Sequence, residues 1–139
     1  MTRLLQATGV AIGGRGVLIT GAPGSGKTSL AMALIDRGAT LIGDDGVALD
    51  VADGILLASP APATAGLIEV RNVGILKREA ASRVPVALIL KLDPEAPRFI
   101  EQAESETIDG VALPLIRLYP ESPVLALRAE LALATHGLG

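Results

Sequence analysis

GAPGSGKTSLAMALIDRG, residues 21–38, decides the fold class. Its first part satisfies G-x-x-x-x-G-K-[ST], with Gly21, Gly26, Lys27 and Thr28 at the fixed positions. Glycines let backbone N–H groups curl around phosphate oxygens without side-chain interference. A helix that starts where such a loop ends turns its positive end to the same anion. Lys27 is then expected to reach the β- and γ-phosphates, and the Thr28 hydroxyl to ligate Mg²⁺. The nucleotide contacts expected are Gly21, Ala22, Pro23, Gly24, Ser25, Gly26, Lys27 and Thr28, with ATP and Mg²⁺ as cofactors. The bland alternative is a Gly-rich turn between strand and helix. The Lys-Thr pair and the flanks oppose it. The motif specifies a nucleotide, not a reaction.

Working outward, residues 17–20 (VLIT) form an apolar strand before the loop. Gly13-Gly14-Arg15-Gly16 is a turn, and residues 4–12 read as a second strand, which together predict an antiparallel hairpin. Simple Rossmann-like P-loop proteins continue with parallel partners, so the hairpin indicates a mixed α/β sheet. After the loop, residues 27–37 have helical composition with an apolar stripe at Leu30, Ala33 and Leu34, and Gly38 closes the helix. Residues 40–42 are a brief strand. Residues 47–50 and 55–58 predict a hairpin around Ala52-Asp53-Gly54, and 59–66 (SPAPATAG) a surface loop. Then come LIEVRNVGIL, a polar stretch around 77–83, and a buried strand at 86–92. Residues 93–110 read as a mobile charged loop or short helix, and 112–118 as a strand. A closing helix over 123–135 has Ser122 as N-cap and Pro123 at its first position.

Composition bounds the function. At 139 residues the chain is expected to be one domain, 1–139. Half of it is hydrophobic, yet it has one Phe and one Tyr, so the core must be aliphatic. The absence of cysteine excludes a disulfide framework and a Cys-based zinc site, and suits a reducing cytosol. A single His makes a His-based metal site unexpected. A net charge of −3 argues against a nucleic-acid surface. Few aromatics also remove base-stacking platforms, so an adenine pocket must use aliphatic side chains and backbone. Gln6, Thr8 and Gly9 break the first apolar run, so no signal peptide is expected. No stretch reaches the roughly 18 apolar residues of a membrane span. A cytoplasmic location without membrane contact follows as the expectation.

A P-loop enzyme needs carboxylates for the metal and for the attacking hydroxyl or water. Asp44 and Asp45 follow the short strand one helix after the loop, where a returning strand end lies near the phosphates. One can face the metal or nucleophile while the other caps a turn. Alternatively Asp-Asp-Gly merely opens a hairpin. Asp93 competes, because VALILKLD resembles an apolar strand ending in a metal-binding Asp; a helix cap before Pro94 is the preferred reading. In LIEVRNVGI, Glu69 and Arg71 share one face if the segment is a strand. They could hold a metal and a phosphate, or form a solvated salt-bridged face. Arg37, Lys77, Arg78 and Arg83 read as solvated, and His136 carries no assigned chemistry.

ATGVAIGGRGVLITGAPGSGKTSLAMALIDRGATLIGDD and LIEVRNVGIL together resemble the catalytic domain of HPr kinase/phosphorylase, particularly its short alphaproteobacterial-type members. The resemblance spans about residues 4–76 and fades over the last third. P-loop, Asp-Asp and EVR-x-x-GI at these spacings are much more specific than the P-loop alone. The resemblance implies a P-loop mixed-sheet fold like that of HPr kinase and phosphoenolpyruvate carboxykinase, which agrees with the hairpin. It implies ATP- and Mg²⁺-dependent phosphorylation of a serine on an HPr-like phosphocarrier protein, with phosphorolysis as a second activity, and a homo-oligomer, commonly a hexamer. By the same resemblance Lys27 is the P-loop lysine, Thr28 and Glu69 are metal ligands, and Asp45 is the catalytic carboxylate that takes the serine proton. Asp44 and Arg71 complete the catalytic set.

The sequence departs from the family at three places. Gln6 stands where the family usually has an active-site His, and Gln can orient but not titrate. Asn72 replaces a Gly, at a position where Asn tolerates φ > 0. RLYPESP, residues 117–123, does not match the family's C-terminal segment linked with dephosphorylation. Two other readings stand beside the serine kinase. A small-molecule kinase would want an Arg-rich lid, and 93–110 holds only Arg98. An ATP-binding regulator without phosphotransfer is favoured by Gln6 and the altered tail.

Overall fold

The computed structural model describes residues 2–139. A mixed sheet dominates it. The strands are β1 (Arg3–Leu5), β2 (Thr8–Ile12), β3 (Arg15–Gly21), β4 (Thr40–Gly43), β5 (Val47–Ala52), β6 (Ile55–Pro60), β7 (Leu67–Val70), β8 (Gly74–Lys77), β9 (Val84–Leu92), β10 (Glu104–Ile108) and β11 (Val111–Leu118). The helices are α1 (Lys27–Asp36) and α2 (Leu125–His136). The main sheet runs β1-β5-β6-β9-β3-β2-β4, with β11 and then β10 branching from β9, while β7 and β8 form a separate hairpin.

β9 is the spine. It runs parallel to β3 and β11, and its first residues pair antiparallel with β6. Strands covered on both faces read as continuous apolar runs, as VLI in β3 and VALILKL in β9 do. Their side chains alternate. Val17, Ile19, Leu88 and Leu90 face α1 and α2, meeting Leu30, Leu34 and Leu133. Leu18 and Ile89 face the other core, with Leu49, Leu56 and Leu113. Leu88 is fully buried in the helix-side core. Leu88→Ala is therefore expected to cost about 2–5 kcal/mol. Urea unfolding checks this, and a loss below about 1 kcal/mol would contradict this packing.

The predicted hairpin before the loop is present: β2 pairs antiparallel with β3, Ile12 opposite Arg15. Gly13 and Gly14 both have positive φ, 56° and 82°, as a two-residue primed turn requires. The first expected strand, however, is broken. Gln6 and Ala7 interrupt it, and β1 leaves to pair with β5. The hairpin over 47–58 holds, with Asp53-Gly54 as its turn and β6 extending to Pro60, beyond the expected loop boundary. Helix α1 buries Leu30, Ala31 and Leu34, whereas Ala33 is exposed. Gly38 closes it as anticipated: Gly38 N–H donates to Ile35 O and Ala39 N–H to Leu34 O, the paired bonds of a Schellman end.

Two expectations near the C-terminus change. Residues 104–108 are not loop or helix but β10, antiparallel to β11 through an Asp109-Gly110 turn. Helix α2 begins at Leu125, later than Ser122-Pro123 suggests. Ser122 still organises the approach, because its Oγ accepts from Val124 N–H at 3.2 Å. No helix among the described residues is long and apolar enough to cross a membrane.

Candidate functional site around the 21–28 loop

The sheet topology gathers the candidate residues at one edge. β3 ends at Gly21, which pairs with Leu92 at the end of β9. β2 runs opposite to β3, so Thr8, opposite Ile19, lies near that same end. β4 also runs opposite to β2, and Gly43 lies across from Gly9. The chain therefore leaves β4 at Asp44 beside Thr8 and the end of β3. This returning strand was expected to bring Asp44 and Asp45 near the loop; Asp44 reaches Thr28 at its end, while Asp45 is held by its backbone N–H to Thr8.

The loop turns tightly between β3 and α1. Ser25 N–H donates to Ala22 O at 3.0 Å. Gly21 has φ 149°, and a Cβ there would meet Ser25 Oγ at 2.7 Å and Leu92 O at 3.1 Å, so the position excludes a side chain. Gly26, with φ 103°, precedes α1, and no side chain caps the first-turn N–H groups. Lys27 folds over the loop, donating to Gly21 O at 3.0 Å and Ala22 O at 3.2 Å. Pro23 and Gly24 are exposed at the loop tip.

Asp44 is the hub. Its Oδ1 accepts from Thr28 Oγ1 at 2.8 Å and from Thr8 Oγ1 at 3.4 Å, while Oδ2 accepts from Glu69 N–H at 3.2 Å. One carboxylate thus ties together the start of α1, β2 and β7. Asp45 follows in the left-handed region, φ 57°, with its N–H donating to Thr8 Oγ1 at 3.2 Å and its side chain exposed. Glu69 is exposed on β7, which is seated by buried Ile68. Thr28 and Asp44 therefore meet side chain to side chain, whereas Asp45 and Glu69 join them through their backbone N–H groups, with both carboxylates exposed.

Arg71 does not share a strand face with Glu69. It lies in the turn between β7 and β8 and is exposed. The chain bends too early for the alternation to reach it. Asn72 in that turn has φ 70°, consistent with the positive φ anticipated there. Gln6 is exposed in the break between β1 and β2. Arg37, expected to be solvated, forms an exposed ion pair with Glu130 at 2.8 Å. Thr8 was missed altogether as a site residue. Its signal was a hydroxyl within an otherwise apolar and glycine run, ATGVAI.

Asp93 is engaged elsewhere. Its Oδ1 accepts from Glu95 N–H at 2.8 Å and its Oδ2 from Arg117 at 3.0 Å, so it shapes the turn after β9. Arg117 also binds Glu104 at 2.7 Å, linking β10 and β11. The Glu95 N–H, and then the Arg117 guanidinium, hold the Asp93 carboxyl below its ordinary range. Arg117 holds Glu104 below its own. A depressed carboxylate pKa contributes stability above the unfolded-state value, lost as pH falls through the folded-state value. Thermal melts should therefore drop as acid protonates this pair, below about pH 4. Arg117→Gln should flatten that acid-side drop, and an unchanged pH profile would contradict the pairing.

The profile of the HPr Serine kinase C-terminal domain family matches residues 2–81. The chain is 46% identical over 67 residues to the HPr kinase/phosphorylase of Clostridium botulinum (strain Eklund 17B / Type B), an alignment covering 48% of this chain and 22% of that protein. It is 46% identical over 63 residues to the HPr kinase/phosphorylase of Clostridium kluyveri (strain NBRC 12016), covering 45% and 20% respectively. The chain spans about a fifth of the length of the curated relatives it matches. The solved structure of the Hpr(Ser) kinase/phosphatase from Coxiella burnetii superposes with a TM-score of 0.83 at 28% identity, covering 95% of this chain and 94% of that one.

Proposed function

From the premise that this chain belongs to the HPr serine kinase C-terminal domain family, we propose that it is an ATP- and Mg²⁺-dependent protein-serine kinase whose substrate is an HPr-like phosphocarrier protein. The observation that carries the reading is the Thr28–Asp44 hydrogen bond, 2.8 Å, at a helix end that no side chain caps. It joins the phosphate side of the site to the carboxylate side.

The donor set suits Mg²⁺, which prefers oxygen ligands and completes its shell with phosphate oxygens and water. Thr28 and Glu69 would hold it, with Asp44 orienting the Thr28 hydroxyl. Bound there, the ion would neutralise charge on the transferring phosphoryl group. The 21–26 backbone and Lys27 bind the phosphates, Lys27 exchanging its carbonyl partners for phosphate oxygens. Asp45 accepts the proton from the serine hydroxyl as its oxygen attacks the γ-phosphorus and the bond to the β-phosphate oxygen breaks. Arg71, on the exposed hairpin turn, would meet the protein substrate or an outer phosphate oxygen. In phosphorolysis an oxygen of inorganic phosphate would attack the phosphoserine phosphorus and form pyrophosphate, while the bond to the serine oxygen breaks and Asp45 returns the proton to that oxygen. A homo-oligomer and a cytoplasmic setting belong to the same reading.

A second reading, an ATP-binding regulator without transfer, is favoured by exposed Gln6 in place of the family's His. Incubation with Mg·ATP and a purified HPr-like phosphocarrier separates the two. Phosphoserine on the carrier supports the kinase. ATP bound tightly with no carrier modified supports the regulator.

A further inference from the structure

Thr8 is the one polar residue among the described ones that is buried as a whole, 1% exposed within otherwise apolar packing. A buried hydroxyl is retained at a cost unless its hydrogen bonds are satisfied. Here one hydroxyl serves two partners with opposite roles. Its oxygen accepts from the Asp45 N–H at 3.2 Å, and its proton is aimed at Asp44 Oδ1 at 3.4 Å. Asp44 Oδ1 also accepts from Thr28 Oγ1 at 2.8 Å. An unbroken line of hydrogen bonds thus runs from the first turn of α1 to the backbone of Asp45.

Asp45 needs such an anchor. Its backbone lies in the left-handed region, φ 57°, which L-residues other than Gly adopt at a cost. Its side chain is exposed, and no side-chain hydrogen bond of its own fixes it among the described residues. The anchor therefore acts through the main chain. β2 is held by pairing with β3 on one side and β4 on the other, which makes Thr8 a rigid reference point.

We infer that Thr8 is the positioning residue that fixes the carboxylate of Asp45 relative to Thr28, and so relative to the phosphate it serves. The inference rests on the kinase reading above. It assigns Thr8 a hydroxyl function, not a packing function, since Val fills the same volume without the hydroxyl. Thr8→Val leaves the Asp45 N–H without its acceptor and Asp44 without one donor. Positional error of this kind costs turnover more than binding.

The test is single-turnover transfer from Mg·ATP to an HPr-like phosphocarrier, with Mg·ATP affinity measured separately by calorimetry. Thr8→Val is expected to lower the transfer rate roughly 10- to 100-fold, with Mg·ATP affinity changed less than about threefold. Thr8→Ser, which keeps the hydroxyl, should recover the rate to within about threefold of wild type. A Val variant at the wild-type rate, a Ser variant as slow as Val, or a loss of rate matched by an equal loss of ATP affinity would each overturn the inference. Asp45→Asn run in parallel separates the two levels. An inactive Asp45→Asn beside a fully active Thr8→Val overturns the role of Thr8 alone. A fully active Asp45→Asn overturns the base assignment beneath it. A wild-type chain that binds Mg·ATP but transfers nothing overturns the kinase reading, and this inference with it.

Discussion

Asp45→Asn is expected to lower phosphotransfer roughly 10²- to 10⁴-fold, the range for loss of a general base, while Mg·ATP remains bound. The substitution keeps the shape of the side chain and removes its ability to accept a full proton. Its backbone N–H, which holds Thr8, is unchanged, so the turn should persist. Asp44, the neighbour that holds Thr28 and the Glu69 N–H, also stays in place. Binding and transfer should therefore separate. Calorimetry for the nucleotide and single-turnover transfer for the chemistry read the two independently. Equal losses in both would mean that Asp45 shapes the phosphate site instead.

Gly43→Ala should be nearly as damaging, although Gly43 carries no chemistry. It ends β4 directly before Asp44 and is buried. A Cβ there would run into the carbonyl oxygen of Gly46 and approach Val47 Cγ1 at 3.1 Å. The obstructing carbonyl is backbone, so no side-chain rotation relieves the clash. The 43–46 turn must open, and Asp44 and Asp45 are the residues it carries. We expect roughly 10²-fold slower transfer, the scale of a misplaced reacting group, and a stability loss of about 1–3 kcal/mol from overpacking. Mg·ATP affinity should fall less, because the 21–26 backbone is untouched. A variant with wild-type transfer and stability would show that the turn has room that the structure denies it.

Much of this arrangement was legible in the sequence. GAPGSGKT announces its loop because glycine is demanded where a Cβ cannot fit, as Gly21 shows. Gly13-Gly14 and Asp53-Gly54 announced hairpins through the positive φ that their turns need. The helix-side and opposite cores could be read from VLIT and VALILKL, since strands buried on both faces lose the polar alternation. What failed to read has physical causes too. β10, Glu104–Ile108, is polar at four of five positions and mostly exposed, because it is an edge strand held by backbone pairing with β11. Its composition alone cannot distinguish it from a charged loop. The break at Gln6-Ala7 was hidden because neither residue is a turn former and strand-compatible residues continue from Thr8.

The candidate site was legible in its residue types and not in its wiring. Asp44 and Asp45 are adjacent in sequence, and only the bend after β4 gives them different tasks. Asp44 turns inward to three donors, whereas Asp45 is exposed. Thr8 lies 36 positions from Asp44, and nothing local marks their meeting. Arg71 was assigned to a strand face because the apolar run appeared to continue, but a turn at Asn72 ends it. Asp93, read as a cap in preference to a metal-binding strand end, does cap the following turn by accepting from Glu95 N–H; only its pairing with Arg117, 24 positions away, was not legible.

The most direct measurement follows the γ-phosphate itself. γ-Labelled ATP, Mg²⁺, this chain and an HPr-like phosphocarrier are mixed for a single turnover, and the labelled residue is located by mass spectrometry. The account predicts label on a serine oxygen of the carrier, formed with the wild-type chain and nearly absent with Asp45→Asn. Label released only as inorganic phosphate, or retained as bound ATP beside an unmodified carrier, would contradict it.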